Sequence, residues 1–229
     1  MRKAQKEMHM TKIPTFGFSA FLKVLHLKEA PQKAEIRKRY KPSGIGYDYH
    51  KNLRKRIQWL ATGTHSFIEV QSTLNQIKRK PERHSTERAL KKFSDWRTAN
   101  PQPLLPSRVI KISSPRNIYA FNFSADFVVE IGSRATAIHV WNTQVELARN
   151  ITLALLTQVA ESWPFDVSRP DDFAVLSLQT GEIYRWSDSS KEHVDLGISM
   201  IRHIERVCET AVQDYDGSTV TDRPAPYST

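Results

Sequence analysis

Two spacings of hydrophobic residues divide the chain. Up to about residue 100, apolar residues recur every three or four positions, as in Leu53, Ile57 and Leu60, which is typical of amphipathic helices. A capping box, in which Ser66 and Glu69 exchange hydrogen bonds with the backbone, marks one helix start. Five helices are predicted in this region, at 19–27, 31–40, 48–61, 66–79 and, after a break at Pro81, from Ser85 or Thr86.

Beyond residue 107 the hydrophobic period shortens to two, which predicts β-strands. The predicted strands lie at 108–113, 117–123, 126–131, 135–141, 173–178 and 182–186. The segment 145–161 is apolar almost all round, which predicts a helix buried against a sheet. Helical spacing returns from Val194 to Cys208 and predicts a final helix.

These elements predict an α+β fold with a small mixed sheet and a long buried helix. Residues 100–106 contain three prolines and form the best candidate for a domain boundary. We therefore expect a basic helical region at 1–103, packed on or linked to an α/β core at 104–213, and a disordered tail at 214–229.

Charge is divided as sharply as the hydrophobic pattern. Residues 1–103 carry 23 Lys and Arg against 8 Asp and Glu, whereas residues 104–229 carry 11 against 16. A surplus of +15 in short helices repels itself unless an anion lies against it, and nucleic acid is the commonest such partner. An acidic protein partner and the protein's own acidic second half are the alternatives.

The cations of two predicted helices carry the nucleic-acid hypothesis. Few acidic residues sit four positions away to neutralise them, and aligned like charges destabilise an isolated helix. A phosphate backbone would relieve this repulsion in a salt-sensitive and largely sequence-independent way. The predicted nucleic-acid-binding residues are Lys33, Arg37, Lys38, Lys41, Lys51, Arg54 and Lys55.

Composition excludes several classes of site. Cys208 is the single cysteine, so an intrachain disulfide and a cysteine-based zinc site are impossible. The sequence contains neither the glycine-rich phosphate loops nor a G-x-S-x-G motif, and no cofactor is expected. The apolar stretch 16–27 is too short and too interrupted for a signal peptide or membrane span, which favours a cytoplasmic protein without membrane contact.

The run YAFNFSADFVVEIGSRATAIHVWNT, residues 119–143, resembles the core of the PD-(D/E)xK nuclease superfamily. That superfamily includes the endonuclease subunits of some transposition systems, so the resemblance implies a restriction-endonuclease-like core in a protein associated with mobile elements or defence. It also implies an aspartate at the start of one strand, and an acid and a lysine one residue apart on the next strand. The acids would hold Mg²⁺, and the lysine would orient the attacking water.

Mapped onto this chain, the first acid is Asp126, and the hairpin turn is Gly132-Ser133-Arg134. The second acid position falls on His139 and the lysine position on Trp141. Histidine removes an oxygen ligand that Mg²⁺ prefers, and tryptophan removes the cation. We therefore expect a nuclease-like core that does not cleave, in a protein that binds the DNA or RNA backbone through its basic helices.

Three alternatives stay open. An active metal-dependent nuclease would use Asp126 as the Mg²⁺ ligand, His139 as ligand or base, and Glu87 or Glu130 as a further acid, although Glu130 lies about 13 Å along the strand from Asp126. An unrelated α+β domain would use Asp126 only to finish a strand. An accessory subunit would use its apolar strands and tryptophans to contact another protein.

Overall fold

A computed structural model describes residues 13–40 and 48–217 of the chain. Within these ranges seven α-helices and eight strands form, so the predicted α+β class is confirmed. The helices are α1 (Phe18–Leu25), α2 (Glu29–Tyr40), α3 (Lys51–Ala61), α4 (Phe67–Ser72), α5 (Lys80–Ala99), α6 (Arg149–Glu161) and α7 (Lys191–Gly217). The strands are β1 (Thr15–Gly17), β2 (Leu104–Leu105), β3 (Val109–Ser113), β4 (Ala120–Ser124), β5 (Phe127–Ile131), β6 (Arg134–Trp141), β7 (Asp172–Ser177) and β8 (Ile183–Arg185).

The larger sheet has the order β2-β5-β6-β7-β8. Only the central pair, β6 and β7, runs parallel, and α6 supplies the long connection that parallel neighbours require. The hairpin from β5 to β6 turns through Gly132 and Ser133, whose φ angles of 55° and 61° are both positive. Two successive residues with positive φ form a tight two-residue turn, and the twist of that turn matches the twist of the antiparallel strands that it joins. The hairpin predicted at this position is therefore present.

The smaller sheet has the order β1-β4-β3 and joins a strand near the start of the chain to two strands from its middle. β1 runs parallel to β4, with Thr15 opposite Ala120. Neither β1 nor β2 is predicted from the sequence, because strands of three and two residues are too short to show a period of two. Through β1, a segment of the basic region belongs to a sheet of the second half.

Helices cover both faces of the larger sheet. Along β6, Ala137 and Trp141 join a core with α1, α2, α6, α7 and the smaller sheet. Ile138 and Val140 join a second core with α3, α4 and α5 on the opposite face. The basic region is therefore packed on the sheet, with α1 and α2 on one side and α3 to α5 on the other.

The ends of three helices differ from the predicted ones. α5 begins at Lys80 with Pro81 in its first turn, so the predicted start at Ser85 or Thr86 is wrong. Proline has no N–H to donate, but the first helical turn needs none, and Pro81 opens the helix there. α6 begins at Arg149 rather than near residue 145, and α7 continues through Gly217, past the predicted start of the tail at 214.

The predicted helix at 66–79 is shorter than its pattern indicates. The capping box of Ser66 and Glu69 is confirmed, but α4 ends at Ser72 and continues as a 3₁₀ turn over residues 73–76. Ile77 then adopts an extended conformation that leads into α5.

The helix pair α6 and α7 packs unusually closely. A Cβ atom at Gly197 of α7 would lie 2.6 Å from the backbone oxygen of Ala154 in α6, so only glycine fits this crossing. Eight of the thirteen α6 residues are buried, in agreement with the predicted buried helix. Over the described ranges, no helix has both the length and the apolar character needed to cross a bilayer.

Removal of the Phe21 ring tests whether α1 and the second half unfold together. Phe21 is fully buried and stacks on Phe121 of β4 with ring centroids 4.6 Å apart. We expect Phe21→Ala to lower the free energy of unfolding by about 3–5 kcal/mol, in one transition that includes the sheet. The measurement is urea unfolding followed by circular dichroism and tryptophan fluorescence.

Phe165→Ala is the matched control, because the Phe165 side chain is completely exposed. The same truncation there is expected to change stability by less than about 0.5 kcal/mol. Equal losses in the two variants would contradict the packing described for Phe21.

Candidate functional site

Asp126 completes the hydrogen bonding of the central strand β6. Its backbone N–H donates to the Ile138 carbonyl at 2.7 Å, and its Oδ2 accepts from the Val140 N–H, also at 2.7 Å. The pairing of β5 with β6 ends at Phe127 opposite Ile138. Because Val140 lies beyond that last pair, the carboxyl group of Asp126 replaces the backbone acceptor that β5 does not supply. The side chain is only 5% exposed.

His139 lies beside Asp126 and bonds through both of its ring nitrogens. Its Nδ1 lies 2.8 Å from the Ser124 carbonyl oxygen, and its Nε2 lies 2.6 Å from Ser19 Oγ. A carbonyl oxygen only accepts, so Nδ1 carries the hydrogen and Nε2 of the neutral ring accepts from the Ser19 hydroxyl. The Oδ2 of Asp126 lies 3.6 Å from Nδ1. The sequence gives no hint of Ser19, which is 120 residues away from His139.

Burial dominates the titration of both side chains. It raises the pKa of Asp126, and the neighbouring His139, the Val140 N–H and Arg54 offset that rise only in part. Burial also lowers the pKa of His139, although Asp126 and the Ser124 carbonyl act in the opposite direction. His139 is thus held in its neutral form at physiological pH.

Trp141 belongs to the core at the position where the nuclease resemblance implies a lysine. It is 1% exposed, and its indole Nε1 donates to the Val145 carbonyl at 3.0 Å. It shares its face of β6 with Ala137 and His139 because side chains along a strand alternate between faces. The ring thus occupies the space that a cation would need.

The other predicted acids are exposed, whereas the side chain of Asp126 is buried. Glu87 is exposed on α5, and Glu130 is exposed on β5 near the hairpin turn. The buried acid of α5 is instead Glu82, which is 1% exposed and accepts a hydrogen bond of 2.7 Å from Asn52. Sequence reasoning missed Glu82 because it follows Pro81, where the helix was expected to be interrupted.

The surroundings of Asp126 do not fit a Mg²⁺ site. Mg²⁺ prefers octahedral coordination by oxygen, whereas Asp126 Oδ2 accepts from the Val140 N–H and both His139 nitrogens are engaged. Over residues 13–40 and 48–217, no three Asp, Glu, His or Cys side chains are grouped so that they could hold a metal ion.

The start of α3 supplies positive charge next to this pair. Arg54 forms an ion pair with Asp48, and its charge lowers the pKa of both Asp126 and His139. Burial lowers the pKa of His50, and Arg54 adds to that effect. A guanidinium group therefore lies near the end of β6, on the side of the sheet covered by α3.

Six of the seven predicted nucleic-acid-binding residues lie on two helices that cover opposite faces of the larger sheet. The α2 members lie on a helix whose Ile36 is part of the core with α1 and α7. The α3 members lie on a helix whose Leu53 and Ile57 are part of the core on the opposite face of the larger sheet. Lys41 lies outside the described residues. The α2 members are Lys33, Arg37 and Lys38, and the α3 members are Lys51, Arg54 and Lys55.

Two other arginines of this region have structural roles. Arg56 is 2% exposed, and its guanidinium donates to the backbone oxygens of Asn52 and Thr73. Arg97 donates to the carbonyls of Asn100 and Gln102, beyond the end of α5. These bonds use two of the cations to hold the helices in place.

Comparisons with known proteins add nothing to the evidence from these residues. No protein-family model matches the chain, and no curated protein sequence matches it. The function proposed below therefore rests on geometry and charge.

Two substitutions of Asp126 distinguish the effect of its charge on stability from the effect of its hydrogen bond to Val140. Asp126→Asn keeps an oxygen acceptor for the Val140 N–H and removes a carboxyl group whose pKa is raised by burial. A carboxyl group whose pKa is higher in the folded state than in the unfolded state lowers the stability of the folded protein as pH rises above about 4, its ordinary pKa. We expect Asp126→Asn to unfold at a higher temperature than wild type at pH 7, with the difference disappearing by about pH 3.

Asp126→Ala is the matched variant, because it removes the acceptor as well. We expect it to be about 1–3 kcal/mol less stable than Asp126→Asn at every pH, since the buried Val140 N–H is left unpaired. His139 contributes the opposite pH dependence, because a lowered pKa costs stability as pH falls below about 6.5. An Asp126→Asn protein less stable than wild type at pH 7 would contradict this account of the carboxyl group.

Proposed function

We propose that this protein associates with nucleic acid through its basic helices, and that its nuclease-like core serves packing rather than cleavage. The observation that carries the proposal is the charge of the α3–α5 layer, defined as residues 48–99. This layer holds twelve Lys and Arg against five Asp and Glu, a net charge of +7. Its exposed cations include Lys51, Lys55, Lys78, Lys80, Arg88 and Lys91.

The acidic second half engages its own cations. Asp188 pairs with Arg149 and Arg185, and Arg116 pairs with both Glu205 and Glu209. In the first half, Lys38 pairs with Glu35, and Arg54 pairs with Asp48. Each of these pairs joins two residues of the same half. An external polyanion is supported by the net charge of +7 in the α3–α5 layer.

Two observations support a core without nuclease chemistry. His139 and Trp141 occupy the positions where the PD-(D/E)xK resemblance implies an acid and a lysine, and both side chains are buried. Asp126, where the resemblance implies a metal ligand, accepts the Val140 N–H. The acid that resembles a catalytic group is explained by the hydrogen bonding of the sheet.

If the α3–α5 layer binds nucleic acid, the binding constant should fall with salt concentration by a predictable amount. Each lysine that neutralises a duplex phosphate contributes about 0.9 to the slope of log K against log salt concentration. We expect Lys51→Gln/Lys55→Gln to reduce the magnitude of the slope by about 2 on mixed-sequence duplex DNA. Fluorescence anisotropy between 50 and about 300 mM NaCl measures it.

Arg202→Gln/Arg206→Gln is the control, because it removes two exposed charges from α7 in the second half. The slope of this control is expected to equal that of wild type. Lys33→Gln/Lys38→Gln tests the α2 side separately. If the α3 variant and wild type have the same slope, the proposed contact of α3 with phosphate is wrong.

A cleavage assay tests the second part of the proposal. We expect supercoiled plasmid incubated with the full chain and Mg²⁺ or Mn²⁺ to be nicked no faster than with Asp126→Ala. Nicking that requires the metal ion and disappears in Asp126→Ala would instead establish the active nuclease. Binding to a protein partner in place of DNA would show as a stoichiometric complex that survives nuclease treatment and high salt.

A further inference from the structure

Ser19 and His139 form a short hydroxyl–imidazole hydrogen bond between α1 and β6. Ser19 Oγ donates to His139 Nε2 over 2.6 Å, and the Ser124 carbonyl fixes the hydrogen on the other ring nitrogen. Behind the ring, Asp126 Oδ2 lies 3.6 Å from Nδ1. An activated serine nucleophile has three parts: a hydroxyl group, a neutral imidazole that accepts its hydrogen bond, and a group that orients the imidazole.

The side chains of this cluster differ in their exposure to solvent. His139 and Asp126 are 2% and 5% exposed at their side chains, whereas Ser19 is only half-buried. The base is thereby kept from water, and Ser19 is the least buried residue of the cluster. Burial keeps the pKa of His139 below its ordinary value, so the ring is neutral at pH 7 and its Nε2 lone pair faces the Ser19 hydroxyl.

The position of Ser19 in its helix adds a site for developing negative charge. Ser19 is the second residue of α1, where backbone N–H groups have no acceptor within the helix. The N-cap residue, Gly17, supplies no side-chain hydrogen bond to them. The N–H of Ala20, the residue after the nucleophile, is therefore placed to stabilise an oxyanion formed at Ser19.

We propose that Ser19 is a nucleophile activated by His139 and that it acts on small carboxylic esters. Ser19 Oγ attacks the ester carbonyl carbon while its proton moves to His139 Nε2. The bond from that carbon to the alcohol oxygen breaks, and Nε2 returns the proton to the departing alcohol. Water then repeats the sequence on the acyl-serine and releases the carboxylic acid. This activity is independent of the association with nucleic acid proposed above.

A fluorophosphonate probe tests the proposal on the full chain. The probe bonds to an activated serine with loss of fluoride, and the adduct is located by intact mass and peptide mapping. We expect one adduct, on Ser19, formed at least about 100-fold faster than in the heat-denatured chain, since general-base assistance contributes on that order. Ser19→Ala should lose the adduct while it retains the wild-type circular dichroism spectrum.

Ser190 is the internal control, because its hydroxyl also lies close to a histidine. Ser190 is exposed and directly precedes α7; its Oγ is 2.9 Å from His193 Nδ1, and it donates to Glu192. We expect no adduct on Ser190, and we expect p-nitrophenyl acetate hydrolysis at least tenfold faster by wild type than by Ser19→Ala. A folded wild-type chain that forms no adduct on Ser19, or labels Ser19 and Ser190 equally, overturns the proposal.

Discussion

The rest of the structure depends on one constraint: strand β6 extends past β5, its hairpin partner. β6 is eight residues long, whereas β5 pairs with only the first five of them. β7 continues to pair with the remainder on one side, and on the other side Asp126 supplies the acceptor for Val140. A single carboxyl group thus allows the central strand to run on into the core with its backbone satisfied.

The same extension accounts for the side chains at positions 139 and 141. Both faces of this part of β6 are covered by helices, so its side chains are selected by what they pack against. His139 meets the edge of the Phe18 ring at a centroid distance of 4.9 Å and bonds to Ser19. Trp141 fills the core and bonds to Val145. This end of β6 therefore forms a hydrogen-bonded and aromatic contact with α1.

Local patterns in the sequence predicted the elements that depend on local chemistry. The hairpin at Gly132 and Ser133 was predictable because its turn needs residues that tolerate positive φ. The buried helix α6 was predictable from its apolar character on every side. The start of α5 was not, because proline is compatible both with a helix break and with a first helical turn. That error hid Glu82 and favoured Glu87.

Contacts between distant parts of the chain were beyond the reach of sequence patterns. β1 has three residues and a partner more than 100 positions away, and Ser19 meets His139 across a similar interval. The division of the cations between two faces of a sheet also follows only from the fold. Periodicity shows which face of a helix is buried, but not which side of the sheet the helix covers.

The parallel pairing of β1 with β4 has a consequence for synthesis in the cell. Thr15 finds its partner at Ala120, so β1 and α1 cannot dock until the ribosome has made more than half of the chain. Contacts of such long separation are formed late and slowly, and until then the apolar side chains of α1 are exposed to other molecules. Translation order therefore leaves α1 exposed until first β4 and then β6 have emerged from the ribosome.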